Sequence, residues 1–174
     1  FLGNTTIGAG TLQIGTGGSL GAVGSAGSYA GNIALSAANA SQFEYSSDQA
    51  QTLSGVISGG IAGNTVLVKD TSSSSVLTSI GANTFLGNTL INSGTFAIAS
   101  NTALGAVSNQ ATVATGAQLD LQNVSVGANT INLNGGTLAA SSGTSSLSGA
   151  VSLNALSAVK VAGTGLTVSG SVSG

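Results

Sequence analysis

Apolar and polar residues alternate along this chain in short bursts, and a glycine-rich break separates each burst from the next. Thr65-Val66-Leu67-Val68-Lys69, Ala111-Thr112-Val113-Ala114, Gln118-Leu119-Asp120-Leu121, Thr130-Ile131-Asn132-Leu133-Asn134 and Ala158-Val159-Lys160-Val161-Ala162 are the clearest bursts. Each is short, often β-branched and mostly alternating, which predicts a strand. The breaks are Gly15-Thr16-Gly17-Gly18, Gly59-Gly60, Asn134-Gly135-Gly136 and Ser141-Ser142-Gly143. Glycine there supplies positive φ without steric cost, so these predict turns. Helical signals are nearly absent. Ala37-Ala38-Asn39-Ala40 is too short, and glycine, at about 1 kcal/mol against alanine, interrupts longer windows.

The spacing of the bursts says more than their existence. Val113, Leu133 and Leu153 lie 20 apart, and Val172 follows 19 later. A longer repeat is superimposed. Phe1-Leu2-Gly3-Asn4-Thr5 returns as Phe85-Leu86-Gly87-Asn88-Thr89, and Ile7, Gly10, Thr11 and Ile14 return as Ile91, Gly94, Thr95 and Ile98. Leu20-Gly21-Ala22-Val23 returns as Leu104-Gly105-Ala106-Val107, with the same offset of 84 throughout. Ungapped repetition of apolar, glycine and small polar residues marks a stacked, quasi-one-dimensional architecture. The expectation is an all-β fold, a parallel β-helix or solenoid of about eight or nine rungs, with the long repeat making about four. At about 4.8 Å per rung the coil would be a rod of roughly 40 Å. Residues 1–174 read as a single solenoid domain or segment, with repeat units near 1–84 and 85–174. A β-sandwich also shows short, evenly spaced strands, but sandwiches rarely repeat their own sequence.

Composition narrows function. Six side chains are charged, Glu44, Asp48, Asp70, Asp120, Lys69 and Lys160, and the net charge is −2. At 3% charged the chain lies far below the roughly 25% of an ordinary domain. Two cations cannot build the surface that nucleic-acid binding needs. The chain lacks Cys, His, Met, Pro and Trp, so it has no disulfide framework and no thiolate or imidazole metal site. No apolar run approaches the roughly 18 residues of a spanning helix. Aromatic girdles of a membrane barrel are not to be made from two Tyr and four Phe. The start shows neither Met nor a signal peptide, and the sequence reads as a processed chain or a segment of something longer.

Phe85-Leu86-Gly87-Asn88-Thr89-Leu90-Ile91-Asn92-Ser93-Gly94-Thr95-Phe96, opened by Asn83-Thr84, resembles the autotransporter-associated β-strand repeat, and Asn4–Ile14 matches it again. Gln51–Gly59 and Val66–Lys69 resemble that family's "SGVISG" and "LVK" pieces, and Leu119-Asp120-Leu121 and Leu133–Leu138 its "LDL" and "LNGGTL" pieces. The resemblance implies a right-handed β-helix in a secreted or surface-displayed bacterial protein, often an adhesin or stalk. Two departures stand out: a serine run over Asp70–Ser75 where glycines are usual, and no C-terminal membrane barrel in this sequence.

The chemistry is sparse. Without His there is no Ser-His-Asp arrangement, and a Ser-Lys dyad through Lys69 or Lys160 is the remaining nucleophilic option. Glu44 and Asp48, flanking Tyr45, are the one close carboxylate pair, the arrangement glycosidases use. Such sites on acidic sugars usually add Arg, Lys or His. The plainer reading packs Phe43 and Tyr45 on or beside the coil and leaves both carboxylates solvated in a loop; a further one makes Phe43 and Tyr45 a sticky spot for a partner. Gly15–Gly21 superficially resembles a phosphate loop but lacks its Lys and helix. Asn4-Thr5-Thr6 and Asn39-Ala40-Ser41 fit glycosylation sequons, which arise by chance in such chains. No catalytic, cofactor or metal residue is expected.

These readings converge on a non-catalytic structural or adhesive rod at a bacterial cell exterior, a spacer or fibre-forming subunit of the kind found in biofilm. Its expected partners are copies of itself, end to end or laterally, further repeats, or a host or neighbouring cell surface. The alternatives are a ligand-binding solenoid for ice or glycan, needing a regular outward Thr ladder, and a polysaccharide-active β-helix enzyme.

Overall fold

The computed structural model describes residues 2–21, 27–70 and 74–174. Phe1, the Ala22-Val23 end of the first repeat copy and the centre of the Asp70–Ser75 run lie outside the described residues. Those described contain strands and turns and no helix. The chain winds through the same faces again and again. The first turns carry β1 (Thr5–Ile7), β2 (Gly10–Ile14) and β3 (Ser28–Tyr29), then β4 (Ile33–Leu35), β5 (Ser41–Tyr45) and β6 (Gln51–Leu53), then β7 (Ile57–Gly59), β8 (Thr65–Lys69) and β9 (Val76–Ser79). The middle turns carry β10 (Asn88–Ile91) and β11 (Thr95–Ile98), then β12 (Gln110–Ala114) and β13 (Gln118–Gln122). The last turns carry β14 (Ser125–Val126), β15 (Thr130–Asn134), β16 (Thr137–Ser142), β17 (Thr144–Leu147), β18 (Val151–Leu153), β19 (Ala158–Val161), β20 (Gly165–Val168) and β21 (Val172–Ser173).

Each strand hydrogen-bonds in parallel to its equivalents one turn below and above. The result is an eight-stranded sheet β2-β5-β8-β10-β12-β15-β18-β21, a seven-stranded sheet β3-β6-β9-β11-β13-β16-β19, and a third face with β1-β4-β7 at one end and β14-β17-β20 at the other. This is a parallel β-solenoid. It climbs six to seven steps, fewer than the eight or nine expected, because the early turns are long. Gly10 lies over Ser41, Phe43 over Leu67, Leu67 over Thr89 and Thr89 over Ala111, so these turns advance the numbering by 31, 24, 22 and 22. Ala111 lies over Ile131, Ile131 over Val151 and Val151 over Val172, advances of 20, 20 and 21. Val113, Leu133 and Leu153 do stack, whereas Val172 sits on Val151.

The long repeat is out of step with the turn. Leu12 reaches Thr89 through Phe43 and Leu67 in three turns. The repeat, which carries Thr5 to Thr89, therefore spans three turns plus one face, not four turns. Thr5–Ile7 accordingly forms part of the three-stranded sheet, while the matching Thr89–Ile91 lies in the eight-stranded one.

Burial alternates on β5, β12 and β15, while β11, β13 and β16 bury three residues in succession and β8 four. Phe96, Leu119 and Leu138 form one buried inward row, and Ile98, Leu121 and Ala140 its neighbour. Each fully buried aliphatic or aromatic side chain stabilises by roughly 1.5–3 kcal/mol. The corners are set by glycine. A Cβ on Gly31 would strike the Gly3 carbonyl oxygen, one on Gly55 that of Gly31, and one on Gly81 that of Gly55. Gly170 and Gly149 repeat the relation near the other end. Beside this column the Asn4 side chain accepts the Asn32 amide and the Asn32 side chain the Val56 amide, each at 2.9 Å.

In the middle turns the third face has no strand, and buried asparagines complete its bonding. Asn83 accepts from the Ile57 amide at 2.9 Å and donates to Ser79 Oγ at 3.0 Å and the Ala103 carbonyl at 2.8 Å. Asn109 accepts from the Gly87 amide at 3.0 Å and donates to the Phe85 and Leu104 carbonyls. Asn129 donates to the Ala106 carbonyl at 2.8 Å. Buried backbone groups must be paired by something, and here side-chain amides do it.

Leu133→Asp is expected to bury an unpaired carboxylate and cost several kcal/mol, on the order of 3 or more. Asn132→Asp, one residue away and outward, keeps a partner in the Gln110 side chain, whose amide can turn to donate, so its cost should stay within about 0.5 kcal/mol. Urea unfolding of both variants checks the alternation, and equal losses would refute it. Gly55→Ala forces a methyl against backbone and should cost about 1–3 kcal/mol, whereas Gly3→Ala, with open space at that position, should be nearly silent in the same assay.

Candidate functional site

Four of the six charged residues, Glu44, Asp48, Lys69 and Asp70, lie on the second and third turns, where the strands send Glu44 outward and Lys69 inward. In β5 the residues Ser41, Phe43 and Tyr45 point inward and are buried, and Gln42 and Glu44 point outward. Phe43 and Tyr45 are therefore core, each 0% exposed, and offer no sticky aromatic surface. Glu44 lies on the strand itself, not in a loop, because the Gln-Phe-Glu-Tyr alternation extends the strand through it. It accepts from Gln13 Nε2 at 2.6 Å and from Ser46 Oγ.

Asp48 does lie in a loop and is exposed. Its Oδ1 accepts from the Gly17 amide at 2.8 Å and from Gln49 Nε2 at 3.1 Å. The Gly17 amide, with Gln49 next, holds this carboxylate below the usual aspartate range. The glycine-rich turn that superficially resembles a phosphate loop thus binds the chain's own carboxylate. Glu44 and Asp48 commit their oxygens to different partners, one on the adjacent strand and one on that turn.

β8 is in register with β5, so Lys69 pairs with Tyr45. Lys69 is in phase with Leu67 and points inward, 0% exposed. Its Nζ donates to the Asp70 carbonyl at 2.8 Å and stands 6.0 Å from the centroid of the Tyr45 ring, at the outer limit of a cation–π contact. Burial lowers the Lys69 pKa from 10.5, and the Asp70 charge only partly opposes this. Burial likewise raises that of Tyr45 above 10.0; a hydrogen bond with Ser47 counters it and the Asp48 charge reinforces it. The Tyr45 hydroxyl donates to the Gln49 carbonyl at 3.0 Å. A dyad through Lys69 would be closed to any external substrate. Lys160 is exposed on β19, in the outward row above Asp120 and Ala139.

The outer face of the eight-stranded sheet is lined by small polar residues bonded from turn to turn. Asn132 Nδ2 donates to Gln110 Oε1 at 3.1 Å, Asn154 Nδ2 to Asn134 Oδ1 at 2.9 Å, and Asn88 Oδ1 accepts the Gln110 amide at 3.0 Å. Threonines do not line up there: Thr112 lies between Leu90 and Asn132, and Thr130 beside Gln110. Thr52 over Thr78, on the seven-stranded sheet, is a single step, so no regular Thr ladder of the kind an ice-binding face needs runs through the described residues. One open cavity of about 200 Å³ is lined by Thr11, Ser41, Gln42, Asn64 and Thr65 with Gly10 and Ala40, and another of about 290 Å³ by Gly17, Ser19, Gly27, Gln49 and Ala50; the second approaches the roughly 300–1,000 Å³ of small-molecule sites. The described aromatics, Tyr29, Phe43, Tyr45, Phe85 and Phe96, are all at most 1% exposed, so none is presented for stacking on a sugar ring. The sequon asparagines Asn4 and Asn39 are exposed, and both are used in bonds between turns. No helix of the described residues is long and apolar enough to cross a membrane, and no cluster of three potential metal ligands occurs among them.

Sequence reasoning missed the inward Lys69, although its i+2 relation to Leu67 was the available signal. It also missed the Gly3, Gly31 and Gly55 column, which the recurring dipeptides Gly3-Asn4 and Gly31-Asn32 announce. Comparisons with protein-family models, curated proteins and solved structures found no match. The resemblance to the autotransporter-associated repeat therefore stands on its quoted residues.

The Lys69 environment makes stability depend on pH in a defined direction. With its pKa lowered in the folded state, the unfolded chain binds the extra proton at pH values just below 10.5. Stability should therefore rise with pH on the approach to 10.5. Tyr45 acts oppositely, since a raised folded pKa removes stability only as pH climbs past 10. Lys69→Met, which keeps an unbranched apolar stem, should flatten the rise and stabilise the protein at pH 7 by about 1 kcal/mol or more. Denaturant titrations across that range check it; an unchanged slope would refute it.

Proposed function

We propose that the protein is an extracellular structural and adhesive rod, a non-catalytic spacer or fibre-forming subunit at a bacterial cell surface. The observation that carries the reading is the division of labour across the strand plane. Inward side chains fill the coil, and outward polar side chains such as Gln13 and Glu44, Gln110 and Asn132, and Asn134 and Asn154 bond to one another from turn to turn. Seven steps of about 4.8 Å make a column of roughly 34 Å whose sides are nearly uncharged and mostly small and polar, with exposed aliphatics such as Ile80, Leu86 and Val107 among them. Such a surface suits spacing and broad, weak contact better than capture of one small ligand. The exterior location and the stalk role lean on the likeness to passenger repeats. Self-association, or continuation into further rungs, suits strand edges that proteins ordinarily guard with charge or Pro, since this sequence has six charges and no Pro to guard them with.

An antibody against the purified chain should label intact cells of the producing organism, and electron micrographs of the detached material should show thin rods. Labelling that appears only after permeabilisation, or compact particles in place of rods, would refute the reading.

A further inference from the structure

We infer that Asn134-Gly135 is a latent self-modification site. The wound coil holds Asn134 as asparagine, and opening of the turn above it lets the residue cyclise and hydrolyse to aspartate or isoaspartate. This is the one Asn-Gly step in the sequence. It closes β15, with a paired strand below and another above. The turn demands a glycine there. Gly135 has a φ of +86°, a left-handed conformation that is costly for any residue with a side chain, and a Cβ would strike Thr115 Oγ1. The same lack of a side chain leaves the Gly135 nitrogen unhindered for attack on the neighbouring carboxamide. The turn therefore installs its own reactive step.

Both reacting groups are tied to the turn above. The Gly135 amide donates to Ser157 Oγ at 3.1 Å, and Asn134 Oδ1 accepts from Asn154 Nδ2 at 2.9 Å. Ser157 Oγ is held in turn by the Leu133 and Ala155 carbonyls at 3.1 and 2.9 Å. From below, Thr115 Oγ1 donates to the Asn134 carbonyl at 3.1 Å. Asn134 is exposed, so water reaches it; what the coil withholds is the geometry of attack. The connection from Asn154 to Ser157 must lift before the Gly135 nitrogen can swing onto Asn134 Cγ. That nitrogen then gives its proton to water and bonds to Cγ, and the Cγ–Nδ2 bond breaks with release of ammonia. Water opens the resulting succinimide at Cγ to give aspartate, or at the main-chain carbonyl carbon to give isoaspartate. One water is consumed and one ammonia released, with no redox change. Aspartate keeps an acceptor for Asn154 Nδ2. Isoaspartate lengthens the main chain by a methylene just before Gly136, where a Cβ would strike the Val113 side chain and the Ala114 carbonyl oxygen. A coil modified in this way cannot rewind in register, so the site marks a turn that has once come open.

Peptide mapping by tandem mass spectrometry tests this on the full chain, incubated at mildly alkaline pH either native or unfolded in guanidinium. In the unfolded chain Asn134 should convert faster than any other asparagine. In the native chain its conversion should be at least about tenfold slower, the equivalent of about 1.4 kcal/mol of opening free energy. Ser157→Ala should close most of that gap without changing the unfolded rate. Gly55→Ala, destabilising but on a distant turn, should leave the native rate alone. Chains carrying isoaspartate should fail to regain the native melting curve on refolding, whereas Asn134→Asp should regain it. Equal native and unfolded rates, a different asparagine converting fastest, or acceleration by Gly55→Ala as large as that by Ser157→Ala would each overturn the inference.

Discussion

One strand spacing per turn is the constraint from which the rest of this molecule follows. Parallel ladders hold successive turns about 4.8 Å apart, and that distance is the same on every face and at every corner. On the faces it is easily met, because like residues stack on like. At the corners the backbone must pass over itself at the same height, and a side chain pointing along the axis has nowhere to go. The column from Gly3 through Gly31 and Gly55 to Gly81 is the direct result. So is the use of asparagine beside it, since a short amide reaches the next turn's backbone without lengthening the corner.

The sequence disclosed the faces far better than the corners. Strands such as Thr130–Asn134 and the stacking of Val113, Leu133 and Leu153 were legible because alternation and a regular spacing act within one turn. The number of turns was not, since it was extrapolated from the regular C-terminal part. The turn from Gly10 to Ser41 takes 31 residues for one step of height, and no local pattern in the sequence marks it as longer than the others. The fate of the charged residues was partly legible. Asp48 is in its loop as read, while Glu44 and Lys69 obey the alternation of their strands, Glu44 outward and Lys69 inward. The buried asparagines 83, 109 and 129 were illegible because their role depends on a missing strand in the third face, which only the assembled coil reveals.

The long repeat separates two ideas that are easily merged, the unit of sequence and the unit of structure. Its two copies occupy different faces, yet both alternate inward and outward in the same way and both find apolar neighbours. The segment carries its own strand and corner geometry and is indifferent to which side of the coil it occupies. A face is thus the interchangeable part of this architecture, and a turn is whatever length of chain three faces and their corners consume.

The unequal lengths of the turns have a mechanical corollary. A column held by ladders of equal strength yields coil by coil under axial tension. Each detached coil releases slack in proportion to its length of chain, at roughly 3.3 Å per residue. The short coils above Leu67 give increments of about 70 Å. The long coil from Gly10 to Ser41 gives about 100 Å. Under load the molecule is a ratcheted tether that lets out line in nearly even lengths and holds one longer reserve.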